Sequence, residues 1–288
     1  MQAETLIDHL EQKAPLELAA DWDQSGIQVS STKKQIKRLA ISLDPDPETL
    51  TRALSWKADF ILTHHPLSLK PELPCRENTY TRSLRLLFQN DVWLYSAHTS
   101  LDVQSTGPVA WLARSMHWSD LKPVRPVEAE GQSQSAAVAA TSQGYGLIGR
   151  LPVPCTPKEF YRQLGNILGI QSCIRSGPEP ELVQYAAYCP GSGMDLAPAA
   201  FAQGAQLFIS GDLKYHQAQA LQDQGLVLDV GHFVLEELMM QTWAQDLSAR
   251  LKAWQIETAF FPGREALHIH CLQDIEPPAG ITRTRPES

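Results

Sequence analysis

"RLAISLDPDPETLTRALSWKADFILTHH", residues 38–65, already contains the repeating unit of the fold. "RLAISLD" (38–44) is a short apolar run and reads as a strand. "PDPETLTRALSWK" (45–57) has the spacing of a helix, and "DFILTHH" (59–65) returns to strand. A strand, a helix and a strand of these lengths make a βαβ unit, which pairs its strands in parallel. The alternation continues outward: "TRSLRLLFQN" as helix, "VWLYSAH" as strand, "GPVAWLARSMH" as helix. Further on, "AAVAATSQGYGLIGRL" reads as strand, and "TPKEFYRQLGNILG" as a helix opened by a capping box of Thr156 and Glu159. "LVQYAAYC", "AQLFISGD", "KYHQAQALQDQG", "LVLDVGH" and "FVLEELMMQTWAQDLSARLKAW" carry it on. The expected class is α/β with mixed, largely parallel sheets. "LKPVRPVEAEGQSQS" (121–135), with two prolines and then small polar residues, is a candidate boundary. The tail "PPAGITRTRPES" is expected to be disordered.

The 288 residues lie between one large domain and two ordinary ones, and 43% hydrophobic with 19% charged residues is an ordinary globular composition. Net charge is −8 and no long Lys/Arg run occurs, which disfavours nucleic acid as a partner. No stretch of 18 apolar residues occurs, so no membrane span is expected. The start, "MQAETLIDHLEQKAPLEL", is polar and amphipathic and lacks the apolar core of a signal peptide. Five scattered cysteines form no C-x-x-C pair, which argues against a disulfide framework and a zinc knuckle. A cytoplasmic location is the expectation.

Ligands of parallel α/β sheets sit outside the carboxyl ends of the strands. The residues there are Asp44; His64 and His65; His98 with Asp102; Ser210, Asp212 and His216; and His232. His232 and Glu236 are four apart in a helical stretch and share one face, where an imidazole and a carboxylate can clamp a metal ion. His64 and His65 add nitrogens and Asp102 a carboxylate. Three imidazoles and two carboxylates exceed the needs of one ion, so a two-metal site is expected, its ions on the order of 4 Å apart. His98, Asp44, Ser210 and His216 are expected behind the ligands or facing a substrate, because metal-bound histidines need such partners. Taken singly, each feature has a plainer reading: a core histidine, a helix-start hydrogen bond, a loop cap. His268 and His270 alternate with apolar residues, as on a solvent-facing strand.

An ideal strand would aim His64 and His65 to opposite faces. For both to reach one site the chain must leave the strand, and Pro66 favours that. One imidazole is then expected on each metal. Two other motifs are weaker. "GYGLIG" (144–149) matches G-x-G-x-x-G but runs into "RLPVPC" instead of a helix, so it reads as a glycine-bearing strand. "PGSG" (190–193) could offer the N–H groups of Gly191, Ser192 and Gly193 to an anion, against a plain tight turn.

"ADWDQSGIQV" (20–29), "ILTHHPL" (61–67), "SAHTSLDV" (96–103), "YCPGSGMD" (188–195), "FISGDLKYH" (208–216) and "VLDVGHFVLE" (227–236) together resemble the Nif-three-like dinuclear metal proteins, also labelled GTP cyclohydrolase I type 2 homologues. The resemblance implies metal ligands at His64, His65, Asp102, His232 and Glu236. It implies two α/β domains, placed here at 1–124 plus 229–288 and at 125–228, with the metals between them, and a ring-shaped homohexamer. Ser100, Asp212 and Tyr215 depart from the family's common Asn, Glu and His. The nitrogen and oxygen ligands, without thiolate, suit two divalent ions of Zn, Fe, Mn, Co or Ni. The expected activity is hydrolysis of a small nucleotide-like or heterocyclic metabolite. The alternative is a non-enzymatic, ring-forming metal-binding protein acting as chaperone or regulatory scaffold.

Overall fold

A computed structural model describes residues 1–71, 73–127 and 143–268. The later part of the 121–135 boundary, His270 and the tail fall outside the described residues. Helix α1 (Ala3–Glu11) leads to strand β1 (Gly26–Val29), followed by β2 (Arg38–Ser42), α2 (Pro47–Ser55), β3 (Phe60–Thr63), α3 (Thr79–Asn90), β4 (Trp93–Ser96) and the short α4 (Thr99–Asp102). Asp46 caps α2 by accepting the Glu48 and Thr49 N–H groups at 2.9 and 3.1 Å. After α5 (Trp111–Ser115) come β5 (Ser119–Pro126), β6 (Gly144–Cys155), α6 (Pro157–Leu168), β7 (Ile174–Ser176), β8 (Val183–Tyr188), α7 (Ala197–Ala202) and β9 (Leu207–Ser210). The described residues close with α8 (Tyr215–Leu221), β10 (Leu226–Asp229), α9 (His232–Leu251) and β11 (Glu257–Phe260). The Thr156–Glu159 capping box opens α6, and "GYGLIG" lies inside β6, paired on both sides.

Two mixed sheets result. The first has the order β1-β4-β3-β2-β11, with only β1 antiparallel to its neighbour. The second has the order β5-β6-β8-β9-β10-β7, and its parallel pairing is confined to β8, β9 and β10. Strands β5, β6 and β8 pair antiparallel in turn, whereas the crossovers from β8 to β9 and from β9 to β10 carry α7 and α8. Strands buried on both faces, such as β3 and β9, are continuous apolar runs rather than alternating ones. Helix α9 packs Leu235, Met239, Met240, Trp243, Leu247 and Leu251 into the core. Each such side chain contributes about 1.5–3 kcal/mol on burial. Among the described residues, no helix is long and apolar enough to cross a membrane.

The sheets meet at the carboxyl ends of their parallel strands. Ser42, Thr63 and Ser96 are in register at the ends of β2, β3 and β4, and Ser210 is in register with Asp229 at the ends of β9 and β10. The residues just beyond these ends form the candidate site.

Candidate metal centre

The two adjacent histidines reach one site because the ladder stops at Thr63. Both the His64 and His65 N–H groups turn to a single carbonyl, that of Leu43, at 3.2 and 3.0 Å. Thr63 Oγ1 donates to the His65 carbonyl at 2.8 Å and Ser96 Oγ to the His64 carbonyl at 2.7 Å. These bonds satisfy the backbone where strand pairing ends. The two rings then lie 5.2 Å apart, and His98 sits 5.2 Å from His64 and 5.6 Å from His65. His232 arrives from the other sheet through a turn at Gly231 (φ +97°), whose N–H donates to Asp229. As the first residue of α9 it stands one helical turn from Glu236, and its ring is 5.5 Å from that of His65.

Every imidazole in the group has its Nδ1 tied. His64 Nδ1 donates to the Ala97 carbonyl at 2.8 Å. His65 Nδ1 meets Asp44 Oδ1 at 2.7 Å, His98 Nδ1 meets Asp23 Oδ1 at 2.7 Å, and His232 Nδ1 meets Asp212 Oδ2 at 2.8 Å. Acceptors at Nδ1 fix the tautomer and turn each Nε2 lone pair inward, the usual arrangement behind metal-bound histidines. Asp212 holds this position from a left-handed backbone (φ +59°), on a Gly211 turn so close to α9 that a Cβ at Gly211 would lie 2.4 Å from the His232 nitrogen.

Glu236, only 4% exposed, divides the group in two. Its Oε1 lies 3.5 Å from His64 Nε2, which is also 3.7 Å from Asp102 Oδ1. Its Oε2 lies 2.9 Å from His65 Nε2 and 2.8 Å from His232 Nε2. The Oε2 contacts are short but lack the direction of hydrogen bonds, and His64 Nε2, Asp102 Oδ1 and Glu236 Oε2 are buried without a hydrogen-bond partner. An orphaned buried polar atom costs about 1–3 kcal/mol. Three of them converging, all of metal-ligand type, suit a cation. Ligand atoms of His65, His232 and Glu236 lie within 4.8 Å of one another, as do those of His64, His65 and His98.

The charges agree with such a site. Burial opposes a charge on His64, but Asp102 and Glu236 outweigh it and raise its pKa. Burial likewise opposes charge on His65 and His232, yet their carboxylate partners push them up to about 10 and about 9. Burial would raise Glu236, but the three histidines hold it well below the ordinary carboxylate value. Asp102 is raised, chiefly by burial and by Glu236, with His64 opposing.

The remaining sequence candidates fall into place differently. Asp44 stands behind His65. Ser210 accepts from the Gly193 N–H at 2.9 Å and donates to the Gly191 carbonyl at 3.1 Å, so it clasps the 190–193 loop. That loop therefore does not offer the Gly193 N–H freely to an anion. Gly191 (φ +66°) brings its backbone against Glu236 Oε1. His216 is exposed on α8 with its ring against Tyr215, and no hydrogen bond or ion pair joins it to the group. Asp23 precedes β1 in an irregular segment that no strand end marks, and Asp212 lies at a strand end with no spacing in the sequence that ties it to His232.

Neutralising an outer carboxylate tests this arrangement. Asp44→Asn and Asp212→Asn are each expected to weaken metal affinity by about 10–100-fold while leaving the fold intact. Titration of metal-free protein with a competing chromophoric chelator measures this; wild-type affinity in both variants would show that the carboxylates do not support the ligands.

A family model described as Duf34/NIF3 (NGG1p interacting factor 3) matches residues 1–265. The GTP cyclohydrolase 1 type 2 homolog of Clostridium perfringens is 28% identical over 270 residues, covering 92% of this chain and 97% of that protein. The protein of the same name from Methanocaldococcus jannaschii is 28% identical over 254 residues, covering 87% and 96%. Among solved structures, reduced HcgD from Methanocaldococcus jannaschii superposes with a TM-score of 0.74 at 26% identity, covering 91% of this chain and 98% of that one. A Bacillus cereus protein related to NIF3 gives 0.80 at 20% identity over 93% and 97%, a likeness of fold.

Proposed function

The chain belongs to the Duf34/NIF3 family, and from that premise we propose that it is a dinuclear metal-dependent hydrolase of a small nucleotide-like or heterocyclic metabolite. The observation that carries this reading is the disposition of Glu236, with one oxygen toward His64 and Asp102 and the other toward His65 and His232. In this reading His64 and Asp102 would hold one ion and His65 and His232 the other, with Glu236 presenting one oxygen to each pair. Two divalent ions so held would ease deprotonation of a water and stabilise negative charge on a substrate oxygen. Asp44, Asp212 and the Ala97 carbonyl keep the imidazoles aimed, so the ligands need no reorganisation during reaction. His98, with its Nδ1 on Asp23 and ligand atoms of His64 and His65 within 4.8 Å of its own, would exchange a proton with a bound substrate. The reading includes two domains, 1–124 plus 229–288 and 125–228, and a homohexamer, for which light scattering is the check.

The test has two arms. Elemental analysis of protein purified without a His tag or chelator is expected to give about two ions per chain. Reloading with Mn, Fe, Zn, Co or Ni is expected to give turnover of a nucleotide, phosphoester or cyclic amide. Because their carboxylate partners raise the proton affinity of His65 and His232 in the metal-free protein, protons and metal compete there, and metal binding is expected to weaken as pH falls. Metal stoichiometry near zero would remove the basis of the reading. Full loading without turnover of any substrate class would favour the scaffold alternative.

A further inference from the structure

A cavity of about 450 Å³ opens beside Asp102, His232 and Glu236, within the size range of small-ligand sites. Trp22 lines it and is 60% exposed, although so large an apolar side chain normally finds cover. Its ring stands edge-on to His98, with centroids 5.9 Å apart, so it adjoins the metal-site imidazoles directly. Tyr145 and Arg125 also line the cavity, the guanidinium 5.6 Å over the phenol ring. Arg125 is the one Lys or Arg among the described lining residues. It pairs with Asp195 at 3.0 Å, both side chains being more than half exposed. An exposed pair of this kind is weak and can be exchanged for a ligand's anion. A guanidinium offers a carboxylate or phosphate two parallel hydrogen bonds. The 190–193 loop is a poorer anion site, since Ser210 already engages its Gly193 N–H.

We propose that this cavity binds a flat aromatic ring carrying one anionic group, with the ring between Trp22 and Tyr145 and the anion on Arg125. The proposal rests on the hydrolase reading for what happens next at Asp102 and Glu236, but the binding claim stands on the cavity alone. Arg125 is the one guanidinium or ammonium among the described lining residues, so it anchors one anionic group away from the metal ligands. Aromatic walls select for a π-face, whatever the ring's hydrogen-bonding edge. Trp22 and Arg125 thus set specificity from outside the metal ligands.

Calorimetric titration of the metal-loaded full chain tests the assignment, with GMP, orotate, guanosine and ribose 5-phosphate as probes. GMP or orotate is expected to bind, and which of them binds separates a phosphate from a carboxylate as the anion. Guanosine, lacking the anion, and ribose 5-phosphate, lacking the ring, are expected at least about tenfold weaker. Trp22→Ala and Arg125→Ala should each weaken the bound probe by about tenfold or more, with Arg125→Lys recovering part of the loss. Phe88→Ala, exposed on α3, should bind as the wild type does. Equal metal content in all variants controls for folding. Binding of neither GMP nor orotate, or unchanged binding in both alanine variants, would overturn the proposal. Probe binding without turnover of any substrate leaves the cavity assignment standing and removes the hydrolase reading. Metal-dependent turnover with KM unmoved in both alanine variants does the reverse.

Discussion

Replacing Glu236 by Gln is expected to remove both metal ions from the protein rather than one. The two carboxylate oxygens face different halves of the group, 3.5 Å from His64 Nε2 on one side and 2.8–2.9 Å from His232 and His65 Nε2 on the other. An amide keeps the shape but loses the charge and one acceptor, so both halves are affected. The loss of affinity should exceed the roughly 10–100-fold expected for an outer carboxylate. His64→Ala and His65→Ala should instead deplete mainly one ion each, because each imidazole serves one half. Ligand binding at 100 times the dissociation constant stabilises by about 2.7 kcal/mol, so Glu236→Gln should also lose the rise in Tm that metal gives the wild type. Elemental analysis with parallel thermal melts decides it. Two ions retained in Glu236→Gln would show that the carboxylate does not bridge.

Gly191→Ala, remote from any ligand in sequence, is expected to do comparable damage. A Cβ there would lie 2.1 Å from Glu236 Oε1 and 3.5 Å from His232 Nε2. The loop cannot retreat easily, because the Gly191 carbonyl accepts from the Gly211 N–H at 2.8 Å and from Ser210 Oγ at 3.1 Å. Glu236 must therefore move, and metal content should fall. The left-handed backbone adds about 1–2 kcal/mol of strain for any residue with a Cβ. Gly169→Ala separates the two effects. Gly169 has nearly the same backbone (φ +69°) at the end of α6, but its added Cβ meets nothing within 4 Å. That variant should melt lower by a few degrees and keep its metal. Equal metal content in the two glycine variants would mean that the 190–193 loop does not shape the site.

The alternation of short apolar runs with helical stretches was enough to place an α/β fold in the sequence, because backbone pairing and side-chain periodicity are local properties. Strand ends were legible for the same reason, so His64, His65, His98, Asp102 and His232 could be picked out, and Glu236 followed from its four-residue spacing to His232. The antiparallel edge β5–β6 was less legible: which strands become neighbours depends on connections and packing, not on the strands' own composition.

Sequence by itself determined the residue types near the strand ends and the helical face shared by His232 and Glu236. Tertiary structure alone decided which oxygen of Glu236 faces which histidine and which acid stands behind each imidazole. Asp23 is 75 residues from His98, and Asp212 is 20 from His232. Trp22, Arg125 and Tyr145 share one cavity with His98 and His232, although they lie in separate parts of the chain. No periodicity encodes such pairings. They arise when two sheets bring their carboxyl ends together and His65 and His232 come to 3.4 Å between Nε2 atoms. The orphaned buried atoms exist only in that packed arrangement, because a polar group is left without a partner only once water has been excluded around it.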